Sequence, residues 1–337
     1  MSELFGGVEG GASRSTMVIS NAAGEILATA FGGSTNHWVV GLDKCIEEFG
    51  AMAAECKRQA GIAPTTKLFS LGLSLSGGEQ PQAQRDIIAG IRAKLPDLAE
   101  HYDICTDTFG AVATSCEAGG IVLIAGTGSN CQLIDAQGQG VAGCGGWGHF
   151  MGDEGSAYWI AHAAIKFVFD DMDKYLTAEN AALGLDTEYV KTSMFAYFQA
   201  QNRKEMLNHF YSNFDKQFFS GFTKLVAEGA DKGDRLCREI FRRAGDHLGR
   251  HTRAVLQSAD QSVDKLNVVC VGSVFQSWHL LREGFWGGVG DVTPRPQLVR
   301  LLVSAAIGAA RLGATRSSSG TKTVAVDFAR TTETLES

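Results

Sequence analysis

Strands and helices alternate along the first part of this chain, which predicts an α/β fold. Three observations carry the reading: a glycine-punctuated meander at the start, strand–helix succession through residues 68–115, and a recurrence of the opening meander roughly 115 residues downstream. Residues 4–30 read as an apolar strand, a glycine turn (Gly10-Gly11-Ala12-Ser13), a strand at 16–19, a polar turn at 21–25 and a third strand at 26–28. Phe69, Leu71, Leu73 and Leu75 then alternate with Ser70, Gly72, Ser74 and Ser76 in a period-two strand, and residues 84–95 have helical spacing. A strand at 102–105 runs through Thr106-Asp107 into a helix at 109–115.

The recurrence consists of a strand at 121–124, the turn Gly126-Thr127-Gly128-Ser129, a strand at 131–134, a polar turn at 135–138 and a third strand leading into Gly143. Duplication explains it. So does the general likeness of any two glycine-punctuated hairpins, and pattern alone leaves both open. From 155 to about 258 the chain turns helical, with Ile160, Ala163, Ala164, Phe167 and Val168 on one face and Leu236, Ile240, Ala244, Leu248 and Val255 on another. A last strand at 266–271 meets Gly272-Ser273, helices are expected at 277–285 and 297–312, and the Ser/Thr-rich tail beyond Gly313 reads as weakly structured apart from a short strand at 324–326.

The 337 residues, 45% of them apolar, suffice for about two domains. We place an N-terminal α/β lobe at 1–117 and a C-terminal α/β lobe at 118–337, the latter with a largely helical insertion over about 155–260. With 37 acidic against 30 basic residues the net charge is −7, which argues against nucleic acid and anionic membrane as partners. The amino terminus lacks a basic segment followed by an apolar run, and the apolar stretch at 301–310 falls short of the ~20 residues of a membrane helix. A cytoplasmic location is expected. None of the eight cysteines forms a CxxC pair and several lie in apolar strands, so they read as reduced core thiols rather than as disulfides or a zinc site.

Three glycine turns follow apolar strands, at Gly10 to Ser13, Gly126 to Ser129 and Gly272-Ser273. Glycine lets backbone N–H groups approach an anion closely and Ser or Thr adds a hydroxyl, which suits a polyphosphate. Neither the Walker pattern nor a GxGxxG opening a helix occurs, and each turn taken singly is also what a hairpin requires. Asp107, between strand and helix, suits a general base or a helix N-cap. The segment from Gly143 to Gly155 joins five glycines between Gly143 and Gly152 to Trp147, Asp153 and Glu154, as a polyol site needs. The alternative is a turn whose Trp147 fills the core and whose acids complement a helix dipole. His149 and Asp153 have no third ligand at metal spacing, so no resident metal site is expected.

These segments, with Ser34-Thr35-Asn36-His37-Trp38 and Gly145-Gly146-Trp147-Gly148-His149-Phe150-Met151-Gly152-Asp153-Glu154-Gly155, resemble the eukaryotic-type N-acetylglucosamine kinases, BadF/BadG-type members of the sugar kinase, actin and heat-shock chaperone ATPase superfamily. The likeness runs to about Gly313. It implies a two-lobed, actin-like ATPase fold of duplicated ribonuclease H-like domains with a cleft between the lobes. It further implies ATP and Mg²⁺ as cofactors, N-acetylglucosamine as acceptor, a homodimer, and transfer to the sugar 6-hydroxyl with Asp107 as base. By the same resemblance Gly11, Ser13, Thr127, Gly128, Ser220, Gly221 and Gly272 bind the nucleotide, while Asn36, His37, Asp107, Gly146, Trp147, Gly148 and Asp153 contact the sugar. Glu9 and Ser13 stand where sugar kinases at large carry Asp-Gly-Gly-Thr, and Ala12 where close relatives often have glycine. An ordinary φ is expected at Ala12. Other readings are a kinase for N-acetylmannosamine, glucosamine or glucose, an electron-delivering activator ATPase with an iron–sulfur cluster, and a sugar-sensing regulator. The activator lacks the required cysteine spacing and the regulator lacks a helix-turn-helix or basic segment.

Overall fold

The computed structural model describes residues 3–11, 14–78, 80–117, 119–135, 139–258, 267–293 and 295–335. The chain forms two compact units, one of Met1–Gly120, Ile134–Gln139 and Val299–Thr334, the other of Ile121–Leu133, Gly140–Leu298 and Leu335–Ser337.

The first unit opens with β1 (Leu4–Gly10), β2 (Ser15–Asn21) and β3 (Ile26–Gly32), the meander expected from the glycine and polar turns. A short helix α1 (His37–Val40) and α2 (Leu42–Gln59) follow, then β4 (Leu68–Leu75), α3 (Pro81–Lys94), β5 (Ala99–Thr106) and α4 (Asp107–Ser115). Its sheet has the order β3-β2-β1-β4-β5, with the meander antiparallel and β1, β4 and β5 parallel. Helical crossovers impose that parallel pairing, because a parallel strand cannot be reached by a tight turn. Leu71, Leu73 and Leu75 lie in a core with Val8, Met17, Phe49, Ile87 and Ile91. Yet β4 is covered on both sides, since Ser70 and Ser74 are also fully buried. Its period-two pattern therefore sorts large from small side chains, not buried from exposed, as strands inside parallel sheets do.

The second unit repeats the topology. Strands β6 (Gly120–Ala125), β7 (Ser129–Ile134) and β8 (Gly140–Gly145) form its meander. Helices α5 (Ala157–Met172), α6 (Ala178–Ala182), α7 (Glu188–Tyr197), α8 (Arg203–Phe210), α9 (Lys216–Gly221), α10 (Thr223–Asp231) and α11 (Arg235–Leu256) precede β9 (Asn267–Val271), a 3₁₀ turn (Ser273–Ser277) and α12 (Trp278–Val289). The strand order β9-β6-β7-β8, with β9 parallel to β6, matches β4-β1-β2-β3 of the first unit. Two look-alike hairpins would not share the parallel fourth strand, so the repeat extends beyond the hairpins. Helices α11 and α12 meet backbone to backbone, a Cβ at Gly245 or Gly249 overlapping carbonyls of Leu281 or Phe285.

Two expectations are corrected at the C-terminal end. Residues 297–312 are not one helix but a strand, β10 (Gln297–Leu301), and a helix, α13 (Ala306–Ser317). The apolar run concealed the change, because Leu298 and Val299 are buried as strand residues and β10 pairs antiparallel with β11 (Thr332–Thr334) after a short helix, α14 (Phe328–Thr331). The tail is likewise ordered. Val324 packs with Phe5, Ala310 and Ala314, and the Ala325 N–H donates to the Ala22 carbonyl, although 324–326 is not a strand. Residues 299–334 thus belong to the first compact unit.

Helix α13 lies directly on β1 and β4. A Cβ at Gly7 or Gly72 would overlap the carbonyl oxygen of Ala306 or Ala309. Seven of the eight cysteines are buried. Among the described residues no helix is long and apolar enough to cross a membrane. Gly72→Ala should therefore destabilise the protein by about 1–3 kcal/mol through overpacking, measured by denaturant unfolding. Gly287→Ala, on an exposed helical face where a Cβ meets nothing within 4 Å, should be neutral or stabilising by up to ~1 kcal/mol. Equal effects at the two positions would contradict the packing account.

Candidate functional site

Strand register decides which residues of the first unit meet. Gly10, Leu75 and Thr106 are aligned across β1, β4 and β5, so the residues that follow them, Gly11, Ser76 and Asp107, emerge side by side at the carboxyl ends of parallel strands. Open α/β sheets bind ligands at that edge. Because β3 runs antiparallel to β2 and β2 to β1, the loop after β3 opens on the same edge. It is tied there, with Thr35 N–H and Ser34 Oγ donating to the Gly11 carbonyl at 3.3 and 3.2 Å, and Ser76 N–H to the Gly10 carbonyl at 2.8 Å. The Trp38 indole N–H reaches the Gly77 carbonyl at 3.3 Å.

Asn36 caps α1 through its Oδ1, which accepts the Trp38 N–H at 3.0 Å. The neighbouring His37 ring lies 4.5 Å from the Trp38 ring, and both its nitrogens are buried with no hydrogen-bond partner among the described residues. Buried unpartnered polar groups cost about 1–3 kcal/mol each, which a hydroxyl-rich ligand would relieve. Asp107 is the first residue of α4, and Thr106 holds the N-cap position, so the cap reading of Asp107 falls. A carboxylate in the first turn is nonetheless favoured by the helix dipole. Glu9 has its Oε2 engaged by Ser304 Oγ at 2.5 Å and by the Ala305 N–H at 3.1 Å, at the start of α13. Ala12, whose φ was expected to be ordinary, and Ser13 lie outside the described residues.

In the second unit the equivalent edge gathers around Ser129, the first residue of β7. Its N–H donates to Asp153 Oδ1 at 3.1 Å, its carbonyl accepts the Gly146 N–H at 3.0 Å, and its hydroxyl donates to the Glu154 carbonyl at 2.8 Å. One residue thus joins the Gly126–Gly128 turn to both ends of the glycine-rich loop. That turn is closed by Gly126 N–H to the Gly128 carbonyl at 2.9 Å, leaving Thr127 exposed. Gly272, at φ 114°, packs so closely that a Cβ would overlap the Ala125 carbonyl. Gly126-Thr127-Gly128 and Gly272 therefore come together, as their places at the ends of the parallel pair β6 and β9 require.

The loop from Gly145 to Gly155 is held in an unusual shape, with φ positive at Gly145, Gly146, Gly148, Asp153 and Gly155. For Asp153, at 66°, this is a strained choice. Anchorage supplies the compensation, since Asp153 is 3% exposed and its Oδ2 pairs with Lys216 Nζ at 2.7 Å. Trp147 is 78% exposed, so it does not fill the core as the alternative reading required. Phe150 and Met151 are also exposed, while the His149 ring sits among Phe150, Tyr158 and Phe214. Ser220 donates to the Lys216 carbonyl at 2.6 Å, placing it one turn from the Asp153 pair. Gly221 instead faces the Tyr197 hydroxyl, where a side chain would collide.

Sequence reasoning did not single out Lys216 or His251, and it read Ser129 as part of the Gly126–Ser129 turn without its ties to the glycine-rich loop. Lys216 looks like any basic residue after an N-cap, Asp215, and only the fold brings it to Asp153. His251 lies beneath Gly145, 3.8 Å from Glu154, and its Nδ1 has no partner among the described residues. Burial, foremost, holds its pKa below the ordinary 6.5, with the Glu154 charge opposing and His247 reinforcing. Burial likewise lowers His162 and His247.

A model of the BadF/BadG/BcrA/BcrD ATPase family matches residues 7–313. The chain is 26% identical over 314 residues to the N-acetylmuramic acid/N-acetylglucosamine kinase of Clostridium acetobutylicum, covering 90% of this chain and 95% of that protein. It is 22% identical to the N-acetyl-D-glucosamine kinase of Dictyostelium discoideum, covering 92% and 97%. A Chromobacterium violaceum crystal structure described as an N-acetylglucosamine kinase superposes with a TM-score of 0.68 at 21% identity, covering 92% and 99%, and shows that the fold is shared.

The lowered histidines set a pH dependence. Below 6.5 the unfolded chain takes up protons that the buried rings refuse, so stability should hold above about pH 7 and fall as pH drops through 6.5 toward the lowered folded values. Urea unfolding across this range should show the fall, and His251→Gln should make it shallower. An unchanged slope in that variant would remove His251 from the account.

Proposed function

The chain belongs to the BadF/BadG/BcrA/BcrD ATPase family, and from that membership and the site we infer that it is an ATP-dependent sugar kinase whose acceptor is N-acetylglucosamine. The observation that carries the reading is the position of Asp107, a carboxylate at the carboxyl end of β5 on the same strand edge as Gly11, Asn36 and His37. The same edge carries the unpartnered ring nitrogens of His37, which suit sugar hydroxyls. The names of the two relatives support the substrate class. Seven buried cysteines weigh against an activator that would hold an iron–sulfur cluster at its surface. A cytoplasmic location and a homodimer belong to the same reading.

Asp107 removes the proton from the sugar 6-hydroxyl as that oxygen attacks the γ-phosphorus in line, giving N-acetylglucosamine 6-phosphate and ADP. Asn36 and His37 orient the sugar, and Gly146, Trp147 and Gly148 are further sugar contacts on the same reading. Gly11 and Ser13 in the first unit, and Thr127 and Gly128 in the second, take the phosphates, with Ser220 and Gly272 toward the nucleoside. Phosphoryl transfer asks mainly for positioning and charge neutralisation, which such amide-lined turns supply.

Among the described residues no group of three or more metal-ligating side chains occurs, and one oxygen of Glu9 is committed to α13. Magnesium would arrive on the nucleotide, needing at most one or two carboxylates of the protein. Held on the phosphates, it would neutralise the charge that develops in transfer.

ADP release from Mg-ATP should depend on N-acetylglucosamine, and Asp107→Asn should lower kcat by about 10²–10⁴-fold with little change in nucleotide affinity. N-acetylmannosamine, glucosamine, glucose and N-acetylmuramic acid as alternative acceptors fix the preference. Equal ADP release with and without every sugar would overturn the kinase reading, and near-wild-type kcat in the variant would remove Asp107 from the role.

A further inference from the structure

We propose that Lys216, held by Asp153, is the cation through which this site recognises the polyphosphate of its nucleotide; the inference rests on the kinase reading for the identity of the reaction but not for the binding it describes. Three observations meet here. Asp153 is a buried carboxylate whose Oδ1 accepts the Ser129 N–H and lies 2.7 Å from where a Gly128 Cβ would stand, so a negative charge sits directly behind the Gly126–Gly128 turn. Left alone, that charge would be costly to bury and would repel phosphate from the turn it shapes.

Lys216 removes both problems. Its Nζ meets Asp153 Oδ2 at 2.7 Å, which neutralises the pair, and its side chain remains 30% exposed where that of Asp153 is 4% exposed. An ammonium carries three donors. Asp153 uses one, which leaves the others of this part-exposed side chain for an anion. The ammonium lies 6.0 Å from the centre of the Tyr158 ring, and the Lys216 carbonyl accepts the Ser220 hydroxyl at 2.6 Å. Ser220, Lys216, Asp153 and Ser129 therefore form one chain of contacts from α9 to the phosphate turn. In this arrangement Asp153 is a positioning residue for the turn and for Lys216, and the sugar-contact role implied by resemblance is secondary to it.

The test uses Lys216→Met, Lys216→Gln and Lys216→Arg in the full chain. Gln keeps a hydrogen bond to Asp153 without the charge, so it serves where Met fails to fold, as judged by Tm. ATP, ADP and AMP are titrated by calorimetry without any sugar, and KM for ATP and for N-acetylglucosamine are measured separately. A charge-assisted phosphate contact predicts ATP and ADP binding weakened about ten- to a hundredfold in Met and Gln, AMP weakened far less, and Arg within a few-fold of wild type. KM for ATP should rise in parallel while KM for the sugar stays within about twofold. Unchanged ATP and ADP affinity in the uncharged variants, or a rise confined to the sugar KM, would overturn the proposal. So would an equal loss in Met, Gln and Arg together with lowered Tm, which marks a purely structural pair. Failure of the kinase reading shows itself differently, as wild-type protein that binds nucleotide yet releases no sugar-dependent ADP.

Discussion

Ser129 is the constraint on which the strand edge of the second unit depends. It spends its amide on Asp153, its carbonyl on Gly146 and its hydroxyl on Glu154, so a single residue sets the distance between the hairpin turn before it and the glycine-rich loop that follows β8. A loop with φ positive at five positions has few backbone hydrogen bonds of its own to define its shape. These three bonds and the half-buried pair of Asp153 with Lys216 add to the turn that the Met151 and Gly152 N–H groups make on the Gly148 carbonyl. Each bond is worth about 1 kcal/mol net. Their value lies in converging on one strand end that the core beneath holds still, with Ile121, Leu123 and Cys131 completely buried.

The first unit solves the same problem by a different device. There the loop after β3 is tied back to Gly11 by backbone and hydroxyl donors, and the strand edge itself brings Asp107 beside Gly11 and Ser76. Glu9 adds a link to α13, a helix that approaches β1 and β4 closely only because Gly7 and Gly72 carry no side chains. Packing and site geometry are thus coupled, since anything that lifts α13 from the sheet moves the partner of Glu9 as well.

Much of the fold was legible in the residues. Glycine and polar turns marked both meanders, period-two alternation marked β4, and the helical stretch over 157–256 showed its apolar faces plainly. What misled was apolar density without a clear period. Residues 297–312 are rich enough in Leu, Val, Ala and Ile to pass for one helix, and pairing with strands distant in sequence, β9 on one side and β11 on the other, makes the first five a strand. The tail was misread for the complementary reason. Ser and Thr composition says little when one well-placed valine, Val324, can pack against Phe5 from the other end of the chain.

The sequence by itself determined the elements and the chemistry available to them: the glycine turns, the acid at 107, the Asn-His-Trp and Gly-Trp-Gly-His segments, and the family they resemble. Those are local properties, carried by residue type and spacing. Tertiary structure alone decided the partners. It made Thr106 rather than Asp107 the helix cap, put Trp147 in solvent, left both nitrogens of His37 unpartnered among the described residues, turned Glu9 toward Ser304, and chose Lys216 from among 30 basic residues to neutralise Asp153. Partnership depends on which surfaces the parallel sheets and their crossovers bring within hydrogen-bonding distance, and residues 63 or 295 positions apart carry no local mark of that meeting.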